Sequence, residues 1–327
     1  MSNVLVTGGA GFIGSHMVDL LLREGYSVRV LDNLVSGKHL NLSHHKKNIN
    51  LILDERDIRQ VDYKDKIYKD IDYIYHFAGI GDIVPSIDYP LEYMSVNTQG
   101  TAKVCEGARH NSVKKIVYAA SSSCYGLAKV PTNEKANICP QYPYALSKYL
   151  GERSVLHWHK VYNLPTNIIR IFNAYGTRSK TSGTYGAVFG VFLRQKISGK
   201  PFTVVGDGSQ KRDFLYVTDV ANAFYKASIT DKVGEIYNLG AGNPQSINYL
   251  VKLLGGPVKN IPKRPGEPQV TWADISKIKK ELSWNPKVSF EEGVKKVLTE
   301  INYWKDAPLW DEKSIEMATK NWFNNLH

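Results

Sequence analysis

Tyr144 and Lys148 stand four residues apart in the segment Tyr142-Pro-Tyr-Ala-Leu-Ser-Lys-Tyr-Leu-Gly-Glu152. If that segment is helical, the two side chains share one face, and Pro143 suits the first turn of such a helix. An ammonium beside a phenol favours the phenolate, so the expectation is a Tyr144 pKa below its usual value of about 10. A phenol tuned in this way can take the proton of a hydroxyl group while that carbon is oxidised. Ser121 opens the run Ser121-Ser122-Ser123 after the apolar stretch Ile116–Ala120, where its hydroxyl can bond the same oxygen. Taken alone, Tyr-x-x-x-Lys is a common pattern. Its plain reading is a half-buried aromatic beside a solvated lysine.

These groups need a scaffold, and the first half of the chain reads as one. Asn3–Thr7 is the short apolar run expected of a buried parallel strand. Gly8-Gly-Ala-Gly-Phe-Ile-Gly14 follows, and Met17, Leu20 and Leu21 then recur at helical spacing within His16–Glu24. Gly25 stops that helix, and Ser27–Leu31 is a second run ending in Asp32-Asn33. Further runs at 49–53, 71–78, 115–120 and 166–172 are separated by stretches able to form helices. Strands alternating with helices predict an α/β fold built on a doubly wound parallel sheet.

After about residue 173 the pattern changes. A Gly- and Thr-rich stretch, 177–186, precedes a helix expected at 187–199, with strands expected at 202–205, 214–216 and 235–239. Residues 286–327 hold helix-like segments with Trp304, Trp310 and Trp322. The expected division is a sheet domain over 1–173, with 214–240 returning to it. A smaller mixed α/β lobe, from 174–213 and 241–327, would lie over the carboxyl ends of the strands, where open α/β sheets bind ligands.

The glycine segment reads G-x-x-G-x-x-G between a strand and a helix. Glycine there permits a tight turn, close approach of the backbone to a pyrophosphate, and close packing of helix on strand. The exposed N–H groups and the helix dipole then stabilise phosphates. Asp32 falls 18 residues after Gly14, at the end of the second strand. A carboxylate there accepts from both ribose hydroxyls of NAD and repels the 2′-phosphate of NADP. Asp57, after the third strand, is placed to reach an adenine amine.

Length and composition exclude several classes. A chain of 327 residues can hold two to three domains and bury roughly three-quarters of its unfolded surface, so it needs no disulfide staples. No apolar run reaches the roughly 18 residues of a membrane span. The start, MSNVLVTGGAG, lacks the basic and apolar regions of a secretory signal. Cys105, Cys124 and Cys139 form neither a disulfide framework nor a zinc pattern, and no H-E-x-x-H set is present, so no metal is expected. The expected compartment is the reducing cytosol. Lys plus Arg number 42 against 31 Asp plus Glu, a net charge of +11, which favours anionic partners. The densest basic cluster, His44–Lys47, is short, and no nucleic-acid module is recognisable. Neither nucleic acid nor membrane is expected as a partner.

The combination resembles the extended short-chain dehydrogenase/reductases, and within them the nucleotide-sugar epimerases and dehydratases. The resemblance rests on Thr7–Gly14, Asp32-Asn33, Asp57-Ile58, His76-Phe-Ala-Gly79, Asn97-Thr-Gln-Gly-Thr101, Ser121–Gly126 and Tyr144–Lys148. It continues through Arg170–Gly176, Val205–Gly208, Gln210–Phe214, Arg264-Pro-Gly-Glu267 and Trp272–Ser276, a set most similar to the UDP-glucose/UDP-galactose 4-epimerase group. The resemblance implies a Rossmann domain holding tightly bound NAD. Gly8, Gly11, Phe12, Ile13, Gly14, Asp32, Asn33, Asp57, Ile58, Phe77, Ala78, Gly79 and Asn97 would hold that cofactor, together with Tyr144 and Lys148. It implies Ser121, Tyr144 and Lys148 as the catalytic residues. For a nucleotide-sugar substrate it implies contacts from Ser122, Ser123, Asn173, Thr203, Val205, Arg212, Arg264 and Glu267. Thr203 and Val205 would flank the base, while Arg212 and Arg264 would clamp the diphosphate, a task that suits bidentate guanidinium. Without the resemblance, Arg212 reads more readily as a surface partner of Asp213.

Within that family, the 4,6-dehydratases carry Asp-Glu at the positions of Ser122 and Ser123, and the uronic acid decarboxylases carry Glu at the second. Hydroxyls stand at both positions here. Cys124 lies one residue beyond the cysteine position of the 3,5-epimerases and is read as packing. What remains is chemistry at C4: oxidation to a 4-keto sugar and hydride return to the other face. A C4 oxidase that releases its keto product, a 4,6-dehydratase, and a non-enzymatic NAD-sensing protein are the alternatives. Thr271 stands where the galactose epimerases often carry a bulkier Tyr, and the segment 181–186 departs from that group's usual loop. Relatives pair helices near 97–110 and 142–160 across a homodimer. The tail 303–327 extends past the resemblance.

Overall fold

The computed structural model describes residues 2–180 and 188–326. The first half alternates strand and helix: β1 (Asn3–Thr7), α1 (Phe12–Arg23), β2 (Ser27–Leu31), β3 (Leu51–Asp54), β4 (Tyr73–His76), α2 (Pro90–Met94), α3 (Thr101–His110), β5 (Lys115–Ser121), α4 (Pro143–Tyr162) and β6 (Thr166–Ile171). A π turn, Ser95–Gly100, joins α2 to α3. Then come β7 (Asn173–Tyr175), α5 (Val188–Ile197), β8 (Phe202–Val205), β9 (Lys211–Arg212), β10 (Phe214–Tyr216), α6 (Val217–Ile229) and β11 (Glu235–Leu239). The chain continues through β12 (Gln245–Ser246), α7 (Ile247–Leu254), β13 (Val258–Ile261), α8 (Ser276–Leu282), α9 (Phe290–Thr299) and α10 (Glu312–Asn325).

Seven strands make one parallel sheet in the order β11-β6-β5-β4-β1-β2-β3. Progress along the sheet reverses between β1 and β4, so the loops leaving these two strands part and open a crevice at their carboxyl ends. Register keeps the loop starts level, because Thr7 pairs with both Leu31 and His76. Val4, Leu5 and Val6 of β1 are all fully buried, as a strand covered on both faces requires. Met17, Val18 and Leu21 of α1 pack with Val220, Ala223, Phe224 and Ala227 of α6 on one face. Val104 and Ala108 of α3 and Val155 of α4 cover the other.

The smaller lobe has its own core. Tyr175, Phe189, Phe192, Phe202, Phe214, Trp304 and Trp322 are buried together, with Phe214 and Phe290 stacked at 5.1 Å and 8°. β8 pairs with β13, β9 with β12 and β10 with β7, each outside the main sheet. Of the segment 214–240, then, α6 and β11 reach the main sheet while β10 stays with β7. Ile315 and Trp322 of α10 are buried in the lobe core, so the C-terminal tail packs there.

Candidate active site

Gly8 leaves β1 at φ +70°, in the left-handed region, and a methyl group on it would stand 2.7 Å from the Ala78 nitrogen. A methyl on Gly14 would come 2.1 Å from the Gly8 oxygen and 2.8 Å from the Gly9 Cα, so α1 lies against the turn as only glycine allows. Gly11 is the N-cap of α1, and neither a side-chain cap nor an acid occupies that helix start. Its first amides are therefore left for an anion. Phe12 and Ile13 pack this first turn against the lobe core, Ile13 touching the main core as well. Asp32, 7% exposed, accepts from the N–H groups of Ala10 and Leu34 at 2.9 Å each, while burial raises its pKa. A glycine cradle, an uncapped helix and a carboxylate at the end of β2 fit a dinucleotide with one ribose at Asp32.

Around this cradle, Asn33 donates to Asp57 at 2.9 Å. Arg59 pairs with the same carboxylate at 2.8 Å and holds it below the usual range. The Ile58 side chain is buried against Gly100. Phe77 and Ala78 donate their N–H groups to the Thr7 carbonyl and hydroxyl, at 3.0 and 3.3 Å. A methyl on Gly79 would meet Asn97 Oδ1 at 2.8 Å and Lys148 Nζ at 3.7 Å, so three residues expected on the cofactor side come together there. Asn97 is fully buried on the π turn. Its amide bonds Ile80 N–H at 2.8 Å, Ile80 O at 3.1 Å and Ser147 Oγ at 2.9 Å, tying the 79–80 turn to α4.

Helix α4 reaches the end of β5 through Gly151, where a methyl would stand 2.4 Å from Tyr118 Oη and 2.5 Å from the Asn97 carbonyl. That approach brings Tyr144 to Ser121, and their hydroxyls hydrogen-bond. Ser121 Oγ is also 2.7 Å from Ser123 Oγ and accepts from Ser123 N–H at 3.2 Å. Ser122 is part-buried on the same turn, Ser122–Tyr125. The expected acidification of Tyr144 by Lys148 is not what the structure shows. Burial raises the Tyr144 pKa, and only the Ser121 bond opposes it. Lys148 holds its Nζ 4.5 Å from the centre of the Tyr118 ring, and burial lowers its pKa to about 7 against the opposing charge of Glu152. Both groups have lost water, which disfavours phenolate and ammonium alike.

The serine turn is held from below. Arg170 bonds Glu152 through two contacts, 2.5 and 2.8 Å, and donates to Tyr125 Oη at 2.6 Å; Tyr125 in turn donates to Asn238 at 2.8 Å. Cys124 is 1% exposed, and burial pushes its thiol up to about 12, so it packs and does not react.

On the lobe side, Glu267 meets Arg264 at 2.9 Å and Arg212 at 3.7 Å. Arg212 donates to Pro268 O at 3.0 Å, and its pKa is lowered by burial, with the Arg264 charge adding to that. It does not pair with Asp213, whose carboxylate accepts from the N–H groups of Ala241, Gly242 and Ala273. Two guanidiniums sharing one carboxylate leave net positive charge suited to a diphosphate. Asn173 Oδ1 accepts from the Thr271 hydroxyl at 2.6 Å, which itself accepts from Asp213 N–H at 3.2 Å. Thr203 is 6% exposed with its hydroxyl bonded by Gln195 at 2.8 Å, whereas Val205, ending β8, is only part-buried. The segment 181–186 lies outside the described residues.

Two residues at the site had no role assigned from the sequence, although His76 belongs to the His76–Gly79 motif. Tyr142, legible only as the start of a helix, stacks on Tyr144 at 6.5 Å and 10°, hydrogen-bonds Ser123, and lies within the fields of Glu267 and Arg212. His76 is fully buried between Thr7 and Thr101. Thr101 donates to Asn97 O at 2.7 Å, so it accepts from His76 Nε2–H at 2.9 Å, and His76 Nδ1 then accepts from Thr7 at 2.6 Å. Burial drives this imidazole down to about 3 and keeps it neutral. Away from the crevice, His44 and His45 bond one oxygen of Asp19 at 2.7 and 2.8 Å. Arg178 takes the other at 2.8 Å, so the carboxylate is already neutralised.

Known proteins resemble this chain in sequence and fold. Residues 4–240 match the model of the NAD dependent epimerase/dehydratase family. A putative UDP-glucose 4-epimerase of Methanocaldococcus jannaschii is 35% identical over 313 residues, 93% of this chain and 98% of that one. The UDP-N-acetylglucosamine 4-epimerase from Methanobrevibacter ruminantium, solved with UDP-N-acetylmuramic acid, superposes with a TM-score of 0.85 at 34% identity, over 91% of this chain and 99% of its own. The UDP-glucuronic acid 4-epimerase from Bacillus cereus, solved with UDP-glucuronic acid and NAD, gives 0.85 at 31% identity, over 92% and 99%. The family's cofactor is the one that the cradle at Gly8–Gly14 and Asp32 fits. With relatives aligned over nine-tenths of its length, the chain belongs to the NAD-dependent epimerase/dehydratase family.

Proposed function

We propose that the protein is an NAD-dependent 4-epimerase of UDP-sugars. The observation that carries this reading is the Tyr144–Ser121 hydroxyl pair beside a turn, Ser122–Tyr125, that offers hydroxyls and no carboxylate. Removing water across C5–C6 takes an acid and a base, and neither stands at Ser122 or Ser123. The named relatives share UDP and epimerisation at C4 while differing in the sugar.

NAD, when bound, supplies the hydride acceptor and donor at C4. Tyr144 takes the C4 hydroxyl proton at its Oη and returns it after the 4-keto sugar has turned over. Ser121 holds the same oxygen, and Lys148, poised near neutrality, holds the cofactor ribose and lowers the cost of the phenolate once its proton is gained. Arg212 and Arg264 retain the diphosphate, with Asn173 beside them and Val205 and Thr203 on the base side. Ser122 and Ser123 bond the sugar hydroxyls. A firm diphosphate clamp and a sugar pocket lined by small hydroxyls let one ring face replace the other without release.

We also propose a homodimer through α3 and α4. Leu146 and Leu150 lie one turn apart on α4, 40% and 36% exposed, with Val161 and Tyr162 exposed further along the helix. Three free thiols, two of them buried, support work in the reducing cytosol, where such an enzyme supplies glycosyl donors to polysaccharide assembly.

The test is incubation of the purified protein, without added NAD, with UDP-glucose, UDP-N-acetylglucosamine and UDP-glucuronic acid, reading C4 stereochemistry by NMR. The expected result is conversion to the C4 epimer of at least one sugar, lost in Tyr144→Phe. Accumulation of a keto sugar with reduced cofactor would make the protein a C4 oxidase instead.

A further inference from the structure

The C-terminal tail is built into the site. Trp322 of α10 is 1% exposed, and its indole N–H donates to the Pro265 carbonyl at 2.9 Å, inside the loop that presents Arg264 and Glu267. Its ring lies 5.1 Å from the Tyr142 ring, and Tyr142 in turn stacks on Tyr144. One side chain thus touches both halves of the site, the diphosphate clamp and the partner of the reacting phenol. Other tail contacts reach the same loop and its surroundings. Leu326 Cδ1 would lie 3.8 Å from a methyl on Gly266, and Asn321 donates to Asp88 at 2.7 Å. Upstream, the Trp310 carbonyl accepts from Gln195, the residue that bonds Thr203. Tyr303 donates to Asn41 at 2.8 Å, and Asn41 donates to Ala10 O of the glycine turn at 2.7 Å.

We propose that α10, through Trp322, is a positioning element for nucleotide-sugar binding: it sets the Arg264–Glu267 loop and seats Tyr142 against Tyr144. This rests on the reading of Arg264 and Glu267 as diphosphate contacts. The physical case is that the loop turns on Gly266 at φ +74°, so where the paired Arg264 and Glu267 are presented depends on what holds the backbone of that turn. The indole N–H and Pro265 O form such a hold, and on the buried Trp322 side an unmade hydrogen bond is costly. Catalytic roles stay with Tyr144 and Ser121. Trp322 acts through its neighbours.

The experiment is calorimetric titration of the NAD-loaded protein with UDP, alongside thermal unfolding. Trp322→Phe keeps a ring against Tyr142 but removes the donor to Pro265. It is expected to weaken UDP binding about three- to tenfold, the scale of one buried hydrogen bond, while NAD content stays that of the parent. Leu326→Ala, which trims a part-buried side chain at the margin of the lobe core, is expected to weaken UDP about twofold through Gly266. Unchanged UDP affinity in both variants, even with a lower Tm, would show a merely structural helix and overturn the proposal. Failure of the parent itself to bind UDP would overturn the clamp reading, and this inference with it. Parent binding that Arg264→Ala abolishes and Trp322→Phe leaves intact would retain the clamp and reject Trp322.

Discussion

Lys148 Nζ lies 4.5 Å from the centre of the Tyr118 ring, and Glu152, one turn along α4, is the charge that most favours its ammonium. Buried this way, Lys148 titrates at about 7, while the unfolded chain holds the same proton up to about 10.5. Between those limits the unfolded state binds more protons, so stability rises with pH from about 7 towards 10 and this contribution is flat below 7. Lys148→Met should lose that rise. In the NAD-free proteins, the parent should gain several degrees of Tm on the variant between pH 7 and pH 9.5. An equal Tm difference at both pH values would refute the depressed pKa.

The Glu152–Arg170 pair predicts a contrast between single and double substitution. Both side chains are almost fully buried, 1% and 4% exposed. Glu152→Ala leaves a buried guanidinium without its counter-ion and should cost about 3–5 kcal/mol of stability in urea unfolding. Replacing both residues by methionine should recover most of that loss. A double variant no more stable than the single one would show that the pair does more than satisfy itself.

Packing at Gly14 makes Gly14→Ala a probe of the cofactor cradle. The added methyl would meet the Gly8 oxygen at 2.1 Å, and backbone cannot step aside as a side chain can. Overpacking of this kind costs about 1–3 kcal/mol, so NAD should bind roughly tenfold more weakly or worse. Cofactor released by heat denaturation and measured by absorbance gives the readout. Parental NAD content would contradict the geometry.

His76 predicts acid sensitivity. Its folded pKa, about 3, lies below the ordinary 6.5, so its contribution is complete above about pH 6.5 and is lost as pH falls towards 3. His76→Gln should be less stable than the parent at pH 7 by about 1–3 kcal/mol. That gap should narrow by pH 4.5 in urea titrations. A gap constant with pH would mean that the imidazole is not held neutral between Thr7 and Thr101.

Much of this molecule could be read along the chain, because the decisive signals are local. A strand, a glycine turn and a helix within Asn3–Arg23 need only their own neighbours in sequence, and Tyr144 and Lys148 stand one helical turn apart on α4. Continuous apolar strands separated by helices implied the parallel sheet, since burial on both faces leaves no room for alternation. Those features carried the fold class, the glycine cradle and the placing of Tyr144 and Lys148 on one helix. Other features depend on distances between segments far apart in sequence. The expectation of an acidified Tyr144 failed because spacing tells who is near whom, while desolvation is set by everything packed around them, including Gly151 letting α4 close onto β5. The roles of His76 and Tyr142 stayed unread because their partners, Thr7, Thr101, Ser123 and Glu267, come from other elements. Trp322 shows the same limit most sharply. No pattern within residues 303–327 points to the Arg264 loop; only the folding of α10 onto the lobe, driven by burial of its indole, brings that tail to the site.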